Sequence, residues 1–113
     1  AEDARILLSH LTDRVTFFGH THVQGGFVLG PRGVGRIQPW RPLLIGPDGH
    51  YMVNPGSVGQ PRDGDSRAAD AIFDIEHNTV EFRRVEYDVD GAANKIRRAG
   101  LPEILDARLY DGV

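Results

Sequence analysis

A mixed α/β fold of the α+β kind, mostly one sheet with flanking helices, is what these 113 residues predict. Three observations carry that reading. Helical periodicity is confined to the two ends of the chain. Between the ends, apolar residues come in short runs of three or four, the length of strands. Fourteen Gly and seven Pro punctuate those runs, which implies many turns and few long helices. The length fits a single domain over 1–113, able to bury roughly two-thirds of the surface its unfolded chain exposes.

Each element has its own reason. Ala4, Leu7, Leu8 and Leu11 stand at i, i+3, i+4, i+7, so 3–13 is predicted as an amphipathic helix with Asp3 as N-cap and His10 on the polar side. Val15-Thr16-Phe17-Phe18 ends at Gly19 and reads as a buried strand, in a sheet covered on both faces. Residues 23–39 are Gly-rich and read as a folded excursion holding a short strand, Phe27-Val28-Leu29. Leu43-Leu44-Ile45 and Tyr51-Met52-Val53 flank Gly46-Pro47-Asp48-Gly49, which predicts a hairpin. Asn54-Pro55-Gly56-Ser57 then breaks the strand, and 61–66 is a polar loop. A second hairpin is predicted from alternation over 71–76 and 80–87. There the parity slips at Val85 and Tyr87, which points to a β-bulge near Arg83–Arg84. Asp90 is the expected N-cap of a helix ending before Gly100. Pro102 opens a last helix through Leu109, with Ile104, Leu105 and Leu109 inward.

Composition narrows the function. A net charge of −3 offers no basic stripe for nucleic acid or anionic membrane, so nucleic acid is an unlikely partner. No apolar run approaches the ~18 residues a bilayer span needs, and no membrane partner is expected. The absence of cysteine removes thiol chemistry and suits a cytoplasmic location. The Gly-rich 25–35 stretch lacks the Lys-Ser/Thr ending of a phosphate-cradling loop, and Ser57 lacks a nucleophile-elbow context.

The chemistry concentrates in Phe17-Phe18-Gly19-His20-Thr21-His22. On an extended segment, i and i+2 project to one side, so His20 and His22 form a candidate pair of neutral nitrogen ligands suited to Zn, Mn, Fe or Ni. Each ring would need its second nitrogen held by a carbonyl or carboxylate. Two histidines in a polar loop is the competing reading. Three others, His10, His50 and His77, read as solvated surface residues. The Arg83–Arg84 and Arg97–Arg98 pairs read as solvated faces with ion pairs. Arg62 and Arg67 around Asp63-Gly64-Asp65 read as an exposed turn, with a substrate clamp as the alternative.

Gly19-His20-Thr21-His22 followed by Asn54-Pro55-Gly56-Ser57-Val58-Gly59-Gln60-Pro61-Arg62, with an Ala-rich strand after it, resembles the C-terminal part of calcineurin-like metallophosphoesterases, in their small bacterial and archaeal phosphodiesterase/phosphatase branch. The resemblance covers roughly residues 3–90. It implies two sheets face to face between helices, an α-β-β-α sandwich, and two divalent metal ions at the strand ends. His20 would bind one metal and His22 the other. It further implies two-metal hydrolysis of a phosphate mono- or diester. The family's early D-x-H, its G-D-x-x-D and G-N-H-[DE] motifs and its further His motif do not stand ahead of G-H-x-H here, and Asp13 and His10 are not in the right motifs to replace them. The resemblance therefore implies the C-terminal half of such a domain, inactive alone and with no catalytic acid of its own. Its expected partners are a missing N-terminal half or a second copy, across an apolar surface that includes Phe17, Val53, Ile72 and Phe73. The competing expectation is a non-catalytic binding module whose His pair is incidental or holds one ion.

Overall fold

The computed structural model describes Asp3, Ile6 and residues 13–113. The helix expected over 3–13, His10 included, otherwise lies outside the described residues. The described elements run in the order β1 (Val15–Phe17), β2 (Gly25–Gly30), β3 (Gly33–Ile37), β4 (Leu43–Leu44), β5 (His50–Asn54), β6 (Ala68–Asp74), β7 (Thr79–Val85), α1 (Val89–Arg98) and α2 (Ile104–Asp111). The mixed α/β class holds. The strands divide between two sheets rather than forming mostly one: β1-β5-β2-β3 and β4-β7-β6. Ile37, Tyr51 and Val53 from the first sheet meet Val80 of the second and Ile45 in the buried core. The Phe17 and Phe73 rings cross the seam at 5.7 Å between centroids, tilted by 56°.

β5 explains the layout. Its Val53 is wholly buried, and both its edges are occupied: β1 pairs in parallel (Phe17↔Val53) and β2 antiparallel (Gly26↔Val53). No edge remains for Leu43–Leu44, so the expected 43–53 hairpin does not form. β4 pairs instead with β7 (Leu43↔Val80), and Ile45 N–H donates to the Asn78 carbonyl at 2.8 Å. Gly46–Gly49 thus crosses between sheets, pinned where Gly46 N–H donates to Tyr51 Oη at 2.9 Å.

The Gly-rich 25–35 stretch is a β-hairpin inside the first sheet, not an excursion with one short strand. Gly26 is there for contact: at φ 148°, a Cβ would sit 1.9 Å from the Met52 carbonyl oxygen. The β6–β7 hairpin is confirmed, but its register runs unbroken from Asp74↔Thr79 to Ala68↔Val85, so there is no bulge. Parity slips because Arg84 takes an inward place and Val85 an outward one.

The helices follow the expected order with two corrections. Asp88, not Asp90, caps α1, its carboxylate accepting from Gly91 N–H at 2.9 Å, while Gly100 ends the helix at φ 70° as expected. In α2, Leu109 is buried but Ile104 faces solvent, because Asp106 occupies the inward stripe and receives Arg97 Nε–H of α1 at 2.6 Å. Of the four residues expected to expose an apolar face, Phe17 and Ile72 are 46% and 44% exposed, Phe73 is half-buried, and Val53 is enclosed by its flanking strands. The chain is elongated, 51 × 29 × 19 Å, with a radius of gyration of 16.3 Å, where a compact domain of this length has about 13 Å. Among the described residues no helix is long and apolar enough to cross a membrane.

Candidate metal centre

The chain leaves β1 with Phe18 N–H donating to the Val53 carbonyl at 3.0 Å, then turns at Gly19, whose carbonyl accepts from Thr21 N–H at 2.9 Å. His20 and His22 both lie in the left-handed region, at φ 73° and 60°. This corrects the extended i, i+2 geometry expected for the pair: a tight turn, not a strand, presents them. Each such residue costs about 1–2 kcal/mol without a glycine, so the surroundings must hold the turn.

Asn54, at the end of β5 and 1% exposed, is one holder. Its side-chain amide donates to Thr21 Oγ1 at 2.8 Å and, at 3.5 Å, to the Gly19 carbonyl, while its Oδ1 accepts from Gly56 N–H at 2.9 Å. Thus Asn54-Pro55-Gly56 and Gly19-His20-Thr21-His22 form one structural unit. Gly56 is the second obligatory glycine: at φ 90°, a Cβ would lie 2.5 Å from Ala69 Cβ of β6.

Segment 60–63 is the other holder. The Gln60 carbonyl accepts from His22 Nδ1 at 2.8 Å, and Arg62 N–H donates to the His22 carbonyl at 3.1 Å. A carbonyl can only accept, so the neutral ring carries its proton on Nδ1 and its lone pair on Nε2. That is the carbonyl support a ligating imidazole requires. His20 is exposed and His22 half-buried.

Beneath the turn lies a polar network that sequence reasoning does not find. Gln24 is buried. Its backbone N–H donates to Asp63 Oδ2 at 3.0 Å, and its amide donates to the carbonyls of Asp70 (2.9 Å), Arg83 (3.1 Å) and Pro55 (3.2 Å). Arg84 Nε–H donates to Gln24 Oε1 at 3.1 Å, and its Nη2 pairs with Asp63 Oδ2. Arg84 is therefore not the solvated residue expected, since its side chain and that of Asp63 are only 14% and 13% exposed. Arg83, by contrast, forms the expected surface ion pair, with Asp70 at 2.7 Å. Arg67 hydrogen-bonds Asp65 and holds that carboxyl down at about 2, helped by the charge of Arg84 and opposed by partial burial. Arg62 reaches Gln60 Oε1, at 2.6 Å, in an exposed position. His77 is exposed against Asp74 at 2.8 Å, and His50 is half-buried against the Asp13 carbonyl at 3.2 Å. The parity slip at 84–85 is the sequence signal for the inward arginine; a buried glutamine at 24 leaves none.

A cleft of about 660 Å³ adjoins the turn, its lining including Phe18, Thr21, Phe27, Arg36 and the 76%-exposed Trp40. As a metal site the donor set is incomplete. Two imidazoles on a braced turn suit a transition metal. Among the described residues, however, no group of three His, Cys, Asp or Glu comes together.

No family model matches the chain. It is 42% identical over 96 residues to an uncharacterized protein of Methanocaldococcus jannaschii, covering 85% of this chain and 38% of that protein. The crystal structure of a metallophosphoesterase from Sphaerobacter thermophilus matches 97% of this chain and 47% of its own, at 37% identity and a TM-score of 0.80. The chain therefore spans less than half the length of these two relatives, and the kinship expected from the two motifs holds in sequence and in fold.

Proposed function

We propose that this chain, a relative of the calcineurin-like metallophosphoesterases, carries the G-H-x-H part of a metal-dependent phosphoesterase site, with His20 a ligand to one divalent metal ion and His22 to the other. The observation that supports it best is the agreement, over 97% of the chain, with a metallophosphoesterase at 37% identity. The braced turn supports it locally. The reaction is hydrolysis of a phosphate mono- or diester.

When bound, the two ions would supply a hydroxide of lowered pKa and neutralise charge on the phosphoryl oxygens. This chain's residues orient and exclude. Gln60 and Arg62 set the ring and backbone of His22, and Asn54 holds the turn through Thr21, so the direction of the His22 ring would be set before an ion arrives. The cleft beside Thr21, walled by Phe27 and Trp40, is suited to the organic part of an ester. No described side chain is assigned as catalytic acid, and the remaining ligands come from the rest of the protein or from a second copy. A cytoplasmic location is part of the same proposal.

One observation favours a second reading, a non-catalytic module: no third donor joins the two imidazoles among the described residues. Metal analysis separates the two. The phosphoesterase reading expects two metals per active assembly, lost in His20→Ala and His22→Ala, and manganese-supported turnover of p-nitrophenyl phosphate or its bis-ester only in that assembly. No metal, or one indifferent to both substitutions, supports the module. Full turnover by these 113 residues alone would show that the ligand set has been misread.

A further inference from the structure

We infer that Arg84 is a positioning residue for His22, acting across the seam between the sheets through Asp63 and the 60–63 segment. The inference rests on the reading of His22 as a metal ligand only for its consequence; the mechanical link stands on geometry alone. Arg84 does not touch the histidine. It pairs with Asp63 Oδ2, and the same oxygen accepts from Gln24 N–H at 3.0 Å, two residues beyond His22. The residue before Asp63 donates its N–H to the His22 carbonyl at 3.1 Å, and the carbonyl of Gln60 receives the His22 ring at 2.8 Å. Segment 60–63 therefore grips 22–24 at three points. Pro61 within it is buried, and on its far side Gly64 N–H donates to the Gly112 carbonyl at 2.9 Å.

The Arg84 guanidinium ties that segment to the second sheet. It spends its donors on Asp63, on Gln24 Oε1, on the Arg67 carbonyl at 3.2 Å and, more weakly, on the Asp65 carbonyl at 3.5 Å, with the Asp65 carboxylate 3.8 Å away, a fan that suits a planar fork. Its side chain is 14% exposed, so water does not readily replace it. Removing it leaves the Asp63 carboxylate without its cation in a half-dry seam, where its other oxygen, Oδ1, already has no partner among the described residues. The segment then shifts to hydrate the carboxylate, and the Gln60 carbonyl leaves His22 Nδ1. The ring loses the bond that fixes its tautomer and direction.

The test uses the full chain with ¹⁵N-labelled histidine, so that each of its five imidazoles reports its tautomer by long-range nitrogen–proton correlation. In the unsubstituted chain His22 is expected wholly as the Nδ1–H form. Arg84→Met is expected to give a tautomer mixture at His22, with His77, which does not touch the network, unchanged. Arg84→Lys, which still reaches Asp63, is expected to restore the Nδ1–H form in part. A folded Arg84→Met, judged by a dispersed amide spectrum, with His22 still wholly Nδ1–H overturns the inference. Should Arg84→Met not fold, Asp63→Asn, which keeps the acceptor for Gln24 N–H and weakens the ion pair, takes its place: a tautomer mixture supports the inference, and a wholly Nδ1–H ring overturns it. Zinc titration of the same samples reads the consequence: a loss of about tenfold, the lower end for removing an outer-shell partner, is expected with Arg84→Met. Zinc binding indifferent to His22→Ala overturns the metal reading while leaving the tautomer result to decide the positioning role.

Discussion

Asn54→Ala tests whether the His turn is held from β5. Asn54 is almost wholly buried and makes two good hydrogen bonds, to Thr21 Oγ1 at 2.8 Å and from Gly56 N–H at 2.9 Å. Each contributes roughly 1 kcal/mol net. The vacated amide leaves a void of a few atoms, worth about 1 kcal/mol more at the usual cost per unit of cavity volume. The sum is about 3 kcal/mol, a large part of the stability of a domain this size. Urea denaturation followed by circular dichroism reads it directly. With a slope of about 2 kcal/mol per molar, the midpoint falls by about 1.5 M. The coupling can be isolated with Thr21→Val in a double-mutant cycle, expected at about 1 kcal/mol because the two side chains share a bond. A midpoint shift below about 0.5 M for Asn54→Ala, or a cycle that closes to zero, would refute the view that Asn54 braces the turn.

Other expectations follow from the same contacts. Gly26→Ala drives a Cβ to 1.9 Å from a backbone oxygen and should prevent the first sheet from forming, whereas Gly30→Ala on the same strand meets nothing within 4 Å and should stay within about 0.5 kcal/mol of the parent in thermal unfolding. Arg97→Ala strips the Nε–H bond from buried Asp106, whose other oxygen is unpaired among the described residues, and should lower the urea midpoint; an unchanged midpoint would mean that water already serves that carboxylate. Asp65 sits at about 2 in the fold against an ordinary 3.8, so its contribution is complete above about pH 4 and is lost as pH falls toward 2; Arg67→Ala should reduce the acid sensitivity of the urea midpoint in that window, and an unchanged acid limb would count against the pairing.

How much of this is legible in the chain depends on whether the signal is local. The exit of β1, the β6–β7 hairpin and both closing helices follow from alternation, helical period and caps within a few residues, and they stand nearly where expected. The 43–53 hairpin fails because its turn chemistry is sound but its strands have better partners elsewhere; nothing within 43–53 records that β5 is claimed on both edges. The 25–35 stretch fails for a related reason. Glycine lowers strand propensity, yet Gly26 is required because another backbone passes where a side chain would be. At the candidate site, the two histidines are evident from spacing and resemblance, but what aims them is not. Asn54, Gln60 and Arg84 act over 33 to 60 positions of sequence, and only Arg84 leaves a trace, a parity slip that imitates a bulge.

That separation in sequence has a kinetic side. Each of the bonds from Asn54 and Gln60 that brace the turn closes a loop of more than thirty residues, and the Arg84 bond to Gln24 closes one of sixty. Such contacts form late, because closure entropy has to be met before they return anything. The β1–β5 pairing closes a loop of the same length, so the turn is expected to take its left-handed shape together with that pairing rather than ahead of it. With His20 exposed and His22 half-buried, the turn is expected to open locally at lower cost than the strands. The geometry of the His20–His22 turn is thus expected to report on the integrity of the seam, and mild denaturant should perturb it while the β-sheet signal persists.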